Sequence, residues 1–218
     1  METENVLTAR SDLVRRDSAI NGLALLLEPD RLLAGLQSSL EVSRVENIEL
    51  NYLRYKPGMN CLARYDLNVD GRRVTAYAKA HGSDASTKIG KSMERPVSVG
   101  LLGPGRVVLK DHQVSFSTFP NDAKLVSLQS LSDARFHRRL LVRIFGSNHR
   151  WLDSTAGTAL NYKPERRFVT RLTRPDGVSA LLKFYSRGGY DRARTISRKL
   201  TSNRDSFYPE TLGRSKKY

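Results

Sequence analysis

Alternating apolar and polar positions predict most of the regular structure of this chain. Over residues 61–69 the odd-numbered positions are apolar and most even-numbered ones are polar, which is the period of a β-strand with one buried face. An Asp-Gly pair at residues 70–71 follows this strand and predicts a hairpin. The same reasoning predicts strands at residues 48–55, 73–80, 106–110, 113–119, 160–162, 167–173 and 178–185.

Helical spacing of apolar residues predicts two clear helices. Residues 30–40 place leucines on one face, with Pro29 in the first turn. Residues 134–145 repeat apolar side chains at the same spacing. Shorter helices are predicted at residues 19–27, 87–95 and 191–200, the last after a strand break at Gly188-Gly189.

Short polar side chains mark where two helical stretches begin. Ser132 or Asp133 suits the cap of the helix at residues 134–145. Asn121 or Asp122 suits the cap of a helical stretch that runs to residue 131.

One order of features occurs twice, at residues 52–82 and at residues 159–189. Each copy begins with Tyr-Lys-Pro, continues with a strand that contains an arginine, turns at Asp-Gly and ends in a strand with one lysine. The matched anchors are Tyr55-Lys56-Pro57 with Tyr162-Lys163-Pro164, Arg64 with Arg171, Asp70-Gly71 with Asp176-Gly177, and Lys79 with Lys183. Such self-similarity predicts that one supersecondary unit is used twice, about 100 residues apart.

Composition and charge limit the class of protein. A chain of 218 residues allows two small domains, and 39% hydrophobic and 8% aromatic residues suit a water-soluble globular protein. The formal net charge of +15 favours polyanionic partners such as nucleic acid, nucleotide phosphates or an anionic membrane surface. Because the basic residues are scattered and not massed in a tail, a solvated arginine-rich surface explains the charge equally well.

The cysteine content and the apolar runs bear on localisation. The single cysteine, Cys61, excludes an intrachain disulfide and fits a reducing compartment. Its position in an alternating strand favours a small core residue over a nucleophile. The N-terminus lacks the apolar region of a signal peptide, and no apolar run is long enough to span a bilayer. We therefore predict a cytoplasmic protein without a membrane partner.

The order of elements resembles the aminoglycoside phosphotransferase family, kinases with a protein-kinase-like fold that phosphorylate small molecules. The resemblance is carried by YKPGMNCLARYDL with AYAKAH, and by YKPERRFVTRL with LLKFY. The stretch VVLKDHQVSFSTFPNDAKLVSL resembles the fourth and fifth N-lobe strands and the following linker, and TLGRSKKY resembles the start of the equivalent strands in the second copy. The resemblance implies an α+β fold in which a kinase N-lobe, an antiparallel sheet plus a helix, occurs twice, the second time incompletely.

This resemblance implies four segments along the chain. They are an N-terminal helical segment at residues 1–47, a first N-lobe-like unit at 48–120, a helical linker at 121–155 and a second, truncated N-lobe-like unit at 156–218. A sheet that stops before its last strands exposes an edge and an apolar face. We therefore expect residues 156–218 to be poorly ordered or prone to aggregation unless they dock on the first unit or on a partner.

The resemblance also implies a nucleotide site. Lys79 and Lys183 correspond to the lysine that neutralises the phosphates of ATP, which binds with Mg²⁺. Glu94 follows Lys79 and corresponds to the helix carboxylate that holds this lysine. The second copy offers only Asp205 or Glu210 as a partner for Lys183. If another chain supplies the C-lobe, Lys183 is the preferred phosphate contact.

No catalytic or metal-binding residue is predicted. Kinases of this type need an aspartate in an H-G-D-x-x-x-x-N-like loop and a later metal-binding aspartate, and neither follows Lys183. The hairpin that covers the phosphates in such kinases corresponds to Lys56-Pro57-Gly58, which has one glycine, and to Lys163-Pro164-Glu165, which has none. We therefore predict the N-terminal part of an ATP-dependent small-molecule kinase, inactive alone, whose acceptor is unknown. A split subunit whose C-lobe is carried by a partner chain, a degenerate gene product and a regulatory pseudokinase fragment are the three forms that this prediction allows.

A basic module that binds nucleic acid, or a scaffold without catalysis, is the alternative. The net charge supports it, and Tyr52, Tyr55, Tyr65 and Tyr77 lie on or near strands, where aromatic rings can stack on bases. Strand tyrosines are also ordinary half-buried residues of β-sheets. Binding of RNA or DNA that falls steeply with salt favours this alternative. Tight ATP·Mg²⁺ binding that is lost in Lys183→Ala favours the kinase.

Overall fold

The computed structural model describes residues 11–40, 45–83, 85–94, 97–201 and 210–216. The chain divides into two compact units, the first unit at residues 1–121 and the second unit at residues 122–218. Both units combine helices with an antiparallel sheet. The α+β class predicted from the strand and helix patterns is therefore confirmed.

The first unit is a five-stranded sheet with helices before and within it. Residues 11–16 are helical, followed by helices α1 (Leu23–Leu27) and α2 (Pro29–Leu40). The strands are β1 (Val45–Lys56), β2 (Asn60–Val69), β3 (Arg72–His81), β4 (Arg106–Leu109) and β5 (Val114–Thr118), with helix α3 (Ala85–Met93) between β3 and β4. The sheet order is β1-β2-β3-β5-β4, and each neighbouring pair is antiparallel.

The predicted Asp-Gly hairpin joins β2 to β3. Asp70 and Gly71 have φ angles of 50° and 70°, the left-handed conformation that both central positions of a type I′ turn require. Because this turn matches the twist of the strands, the register runs without a bulge from Val69↔Arg72 to Asn60↔His81.

The core of the first unit lies between one face of the sheet and helices α1 and α2. The alternate residues Cys61, Ala63, Tyr65, Leu67 and Val69 are at most 1% exposed and share one cluster with leucines of both helices. The Tyr65 hydroxyl donates to the backbone oxygen of Leu26 at 2.5 Å, so its polar group is satisfied inside the core. The alternation along β2 therefore separates the helix-packed face from the face that carries Arg64 and Asp66.

The second unit begins with helices and continues with three strands. A 3₁₀ segment (Val126–Leu131) precedes helix α4 (Ala134–Phe145). Strands β6 (Thr155–Lys163), β7 (Arg167–Thr173) and β8 (Ser179–Tyr185) form an antiparallel sheet in the order β6-β7-β8. Helix α5 (Arg187–Thr201) follows, and residues 210–216 contain neither helix nor strand.

Aromatic rings contact one another in the core of the second unit. Phe168 meets the rings of Tyr162 and Phe184 edge to face, with centroids 5.9 Å apart in both pairs. Trp151 is 3% exposed, with the guanidinium of Arg174 5.5 Å from its ring centroid. These contacts give the second unit a core of its own.

The two units share one order of elements. In each, a short helical segment precedes a helix of 12 residues, three antiparallel strands and a further helix. The 12-residue helices are α2 in the first unit and α4 in the second. The shared order of elements therefore begins earlier along the chain than the sequence repeat, whose first anchor is Tyr-Lys-Pro.

Several predicted boundaries differ from the observed ones. Gly188 and Gly189 lie in the first turn of α5, so the predicted break at this pair was wrong, because the strand already ends at Tyr185. Only Leu23–Leu27 of the predicted helix at residues 19–27 is α-helical. The stretch before residue 131 is 3₁₀ and not α-helical. The cap at Asp133 is confirmed, since its carboxylate accepts from the backbone N–H groups of residues 135 and 136.

Candidate functional site

A buried aspartate fastens the β1–β2 turn of the first unit. Asp17 Oδ2 accepts hydrogen bonds from the Tyr55 hydroxyl and from the backbone N–H of Gly58, both at 2.7 Å. Asp17 is 7% exposed and also accepts from the backbone N–H of Ala19. One carboxylate therefore connects the segment before helix α1 to the turn that follows Tyr-Lys-Pro.

The second unit contains the same arrangement at the equivalent turn. Asp122 Oδ2 accepts from the Tyr162 hydroxyl at 2.9 Å and from the backbone N–H of Glu165 at 2.8 Å. Its Oδ1 accepts from the backbone N–H groups of Lys124 and Leu125 at 2.8 and 2.9 Å, but the 3₁₀ segment begins only at Val126, so the predicted helix cap at Asn121 or Asp122 was wrong. Tyr162 is the repeat partner of Tyr55, so each unit has its own aspartate–turn clamp.

The left-handed residue of the turn is also shared. Gly58 has a φ angle of 62° and Glu165 a φ angle of 59°, and each donates its N–H to the clamp aspartate. A glycine adopts this conformation at no steric cost, whereas a glutamate is strained in it. The hydrogen bond from the Glu165 N–H to Asp122 helps to hold this strained conformation. If the N–H turned away it would become a buried donor without an acceptor, and the free-energy cost of that exceeds the cost of the strain.

The two clamp carboxylates ionise differently. The Gly58 N–H and the Tyr55 hydroxyl hold the pKa of Asp17 below its usual value. Burial raises the pKa of Asp122 above its usual value, against the lowering effect of its four donors. The same hydrogen-bond pattern therefore holds an easily ionised carboxylate in the first unit and a desolvated one in the second.

The clamp changes what the β1–β2 turn can bind. A phosphate-covering loop uses backbone N–H groups as donors. The Gly58 and Glu165 N–H groups are already donated to a carboxylate, which also places an anion at each turn. At Gly58 and Glu165 the two Lys-Pro turns therefore lack the donor expected of such a loop.

Lys79 lies on the third strand of the first sheet, on the face opposite the helix-packed core. It is opposite Leu62 of β2 and Ser115 of β5, and it is half-buried. Arg64 and Tyr77 lie on the same face one row away, paired with each other across the strands. This face therefore combines cationic and aromatic side chains around the predicted lysine.

Glu94 lies one residue after the end of α3 and is exposed. Its backbone N–H donates to Gly90 at 3.3 Å, which continues the last helical turn. Within the described ranges the structure gives no ion pair between the Glu94 carboxylate and Lys79. Lys79 thus lies on its predicted strand, whereas Glu94 lies just beyond the helix that was predicted to contain it.

Lys183 lies on β8 and is exposed beside a cleft of the second unit. The cleft has a volume of about 1050 Å³, and one wall is formed by β8 and the following residue, from Ser179 to Ser186. Leu140, Ile144 and Phe145 of α4 form an apolar wall. Glu210 lines the cleft, and Asp205, the other predicted partner of Lys183, lies outside the described residues.

The cleft is strongly basic. Its described lining has one carboxylate, Glu210, against nine cationic side chains. These are Lys124, Lys163, Arg166, Arg167, Lys183, Arg192, Arg194, Arg214 and Lys216. Such a concentration of one charge in a concave surface raises the local concentration of anions. The arrangement is suited to a phosphate-bearing ligand, and of this set sequence analysis singled out only Lys183 and, in the Lys-Pro turn, Lys163.

The tyrosines expected to stack on bases are engaged elsewhere. Tyr65 is fully buried, Tyr77 is 3% exposed, and the Tyr55 hydroxyl donates to Asp17. Tyr52 is half-buried on β1, opposite Arg64. The four residues therefore do not form the open stacking surface that the nucleic-acid alternative requires.

Asp17 is the clamp residue that sequence analysis missed. It lies 38 residues before Tyr55, and Asp122 lies 40 residues before Tyr162. The signal was an aspartate at a similar distance before each Tyr-Lys-Pro. Two positions after the aspartate, the first copy has Ala19 and the second has Lys124. The helices between the two ends hide this spacing from pattern analysis.

Comparisons with known proteins give no relative. No family model, curated protein or solved structure matches this chain. In the described part of the chain no helix is long and apolar enough to cross a membrane, and no group of three His, Cys, Asp or Glu side chains is placed to hold a metal ion.

Proposed function

We propose that this chain carries the nucleotide-binding lobe of a small-molecule kinase of the aminoglycoside phosphotransferase type, used twice. The order of the first sheet carries the proposal. Three consecutive strands are followed by helix α3 and by a β4–β5 hairpin that returns beside β3. Protein kinases hold the phosphate-binding lysine on the third strand and its partner on the next helix. Lys79 occupies the third-strand position.

The second unit supplies the better phosphate contact. Lys183 lies opposite Val169 of the neighbouring strand, and Lys79 lies opposite Leu62 of its neighbouring strand. The two lysines therefore occupy equivalent positions on the third strands of the two sheets. Lys183 is exposed beside the basic cleft, whereas Lys79 is half-buried. An exposed ammonium among further cations is suited to the α- and β-phosphates of ATP. We therefore assign Lys183 to phosphate binding and Lys79 to a structural role.

The residues present fit the phosphates but not the metal. Mg²⁺ neutralises charge on the transferred phosphoryl group in kinases. The described residues include no carboxylate cluster to hold it, and the sequence after Lys183 has no H-G-D-x-x-x-x-N loop. This chain alone is therefore expected to bind nucleotide without transferring phosphate. A protein partner with a C-lobe would add the catalytic aspartates and the acceptor pocket, in the cytoplasm.

Calorimetric titration with ATP·Mg²⁺ tests the proposal. We expect Lys183→Ala to weaken binding about tenfold or more, equal to ~1.4 kcal/mol or more. Lys79→Ala should leave the affinity within about twofold, because that lysine is not the assigned contact. Arg194→Ala is the matched control, since it removes one positive charge from the same cleft. No ATP binding, or equal losses in Lys183→Ala and Arg194→Ala, contradicts the assignment.

Nucleic-acid binding is the second candidate, favoured by the basic lining of the cleft. It predicts that Lys183→Ala and Arg194→Ala weaken binding of single-stranded RNA equally. Affinity should then fall steeply with salt, because each phosphate contact releases a counterion. Affinity for ATP that changes little with salt, together with weak RNA binding, excludes this candidate.

A further inference from the structure

Residues 210–216 contact both helices that line the cleft of the second unit. On the side of helix α5, the Thr211 hydroxyl oxygen lies 3.3 Å from that of Ser197, and Lys216 Nζ lies 2.9 Å from Asp191 Oδ1. The hydrogen bond from Lys216 lowers the pKa of the Asp191 carboxyl, as an ion pair should. The segment, called the strap from here on, is therefore fastened to α5 near both of its ends.

The middle of the strap lies on the apolar wall that helix α4 gives to the cleft. A Cβ atom at Gly213 would lie 2.8 Å from both Cγ2 and the backbone oxygen of Ile144, and 3.0 Å from Phe145 Cδ1. A glycine permits this approach because it has no side chain to collide with the helix. The strap therefore covers part of the apolar surface against which a ligand in the cleft would pack.

The contacts that hold the strap are few and exposed. Among the described residues its backbone makes no hydrogen bond to other backbone groups, and residues 210–216 contain neither helix nor strand. The side chains of Lys216 and Asp191 are both 49% exposed, and ion pairs of this kind add little stability. Segments with few buried contacts and little backbone hydrogen bonding open locally at a low cost in free energy. The strap is therefore suited to alternate between a closed and an open state.

We propose that residues 210–216 are an autoinhibitory strap, which keeps a nucleotide off the apolar wall when closed and admits it when open. The inference rests on the proposed function, because it concerns the regulation of the same cleft. Lys183 holds the phosphates, and the base needs an apolar surface to pack against, part of which the strap covers at Ile144 and Phe145. The apparent affinity is then the intrinsic affinity multiplied by the fraction of chains whose strap is open.

A disulfide between the strap and α5 tests the closed state. The chain carries Cys61→Ala with Ser197→Cys and Thr211→Cys, which replace two hydroxyl oxygens 3.3 Å apart by sulfur atoms within reach of a disulfide. Oxidation should weaken binding of ATP·Mg²⁺ about tenfold or more relative to the reduced form of the same chain, measured by calorimetric titration. Cys61→Ala alone, treated with the same oxidant, is the control. Equal affinity of the two forms overturns the inference, and so does failure of the two cysteines to form the disulfide.

Removal of the close approach tests the open state. Gly213→Ala pushes the strap away from α4, because the backbone oxygen of Ile144 leaves no room for a methyl group. ATP·Mg²⁺ should therefore bind about threefold or more tightly than to the unchanged chain. Gly188→Ala is the matched control, since it adds the same methyl group in the second unit where nothing lies within 4 Å of it. Affinity in Gly213→Ala that is no higher than in Gly188→Ala overturns the inference.

A second probe separates the strap from the nucleotide assignment. The dye anilinonaphthalene sulfonate has an anionic group and apolar rings, so it can bind the open cleft without a nucleotide site. If no variant binds ATP but oxidation still weakens binding of the dye, the nucleotide assignment fails and the strap stands. If ATP binding depends on Lys183 and neither probe responds to oxidation, the assignment stands and the strap is overturned.

Discussion

The two units differ more in their surroundings than in their framework. Each has an aspartate that accepts from a tyrosine hydroxyl and from a left-handed turn residue, with donor–acceptor distances of 2.7–2.9 Å. Yet the pKa of Asp17 is lowered and that of Asp122 is raised, because burial is the dominant influence only on the second. Hydrogen-bond geometry can thus be duplicated without duplicating the electrostatics of the group at its centre.

The third strands of the two sheets also share a framework but differ in their surroundings. β3 and β8 hold equivalent lysines, but β3 is paired on both sides and β8 on one side in the described sheets. A lysine in the interior of a sheet is partly enclosed by its neighbours, whereas a lysine on an edge strand reaches solvent and ligands. The second unit is therefore the one in which a ligand can reach the strand.

Each unit has one natural reporter, which allows the comparison to be measured. Trp151 is the single tryptophan and is buried in the second unit, so its fluorescence reports unfolding there. Cys61 is the single cysteine and is fully buried in the first unit, and burial raises the pKa of its thiol to about 12. It reacts with thiol reagents only when the first unit opens.

The largest expected effect comes from deleting the buried clamp of the second unit. Asp122→Ala leaves the Tyr162 hydroxyl and three backbone N–H groups without their acceptor, so we expect a loss of about 3 kcal/mol or more in unfolding free energy. Urea unfolding followed by Trp151 fluorescence measures it. Asp17→Ala is the matched variant in the first unit. It should raise the reactivity of Cys61 before it changes the fluorescence of Trp151. A loss of unfolding free energy below about 1 kcal/mol in Asp122→Ala contradicts the clamp.

A smaller effect is expected at the left-handed turn residues. Gly58→Ala should cost about 1 kcal/mol, because a side chain at a φ angle of 62° is strained although nothing lies within 4 Å of the new Cβ. Cys61 labelling in urea measures this cost. Glu165→Gly relieves the same strain but removes the 3.6 Å ion pair with Lys124, so its net effect on Trp151 unfolding should be smaller. Equal losses in both variants contradict the shared turn geometry.

The smallest expected effect is a pH dependence of opposite sign in the two units. The lowered pKa of Asp17 stabilises the first unit above the unfolded value of ~3.9, and this contribution is lost as pH falls through the folded pKa. The raised pKa of Asp122 stabilises the second unit below ~3.9, and this contribution is lost as pH rises through the folded pKa.

The corresponding asparagine variants isolate each contribution. Between about pH 3 and pH 6, the stability difference between wild type and Asp17→Asn should grow with pH, and that between wild type and Asp122→Asn should shrink. Cys61 labelling measures the first difference and Trp151 fluorescence the second. The same sign in both units contradicts the assigned pKa directions.

Local patterns in the sequence predicted much of the fold. The strands around the Asp-Gly turns were found because side-chain alternation reflects one buried face, and β7 and α4 have the predicted bounds. The glycine pair in the first turn of α5 was misinterpreted because two glycines fit the start of a helix as well as a loop. The strand tyrosines could not be assigned to the core or to a stacking surface, because a strand pattern does not tell which face is covered.

The site could be predicted only in part, because its contacts connect distant parts of the chain. Lys183 was identified from its repeat partner, but the other cations of the cleft come from the loop before the 3₁₀ segment, the β6–β7 hairpin, helix α5 and residues 210–216. Asp17 reaches Tyr55 only after helices α1 and α2 have packed on the sheet. Such contacts depend on tertiary packing, which no local period records.

The clamp also sets how much of the chain each unit needs in order to fold. Its two ends lie 38 and 40 residues apart, on either side of the helices, so each clamp closes a loop of the chain. A segment that starts at Tyr-Lys-Pro contains the turn without the carboxylate that fastens it. The smallest self-contained form of either unit therefore begins at or before its aspartate, with both ends of the loop included.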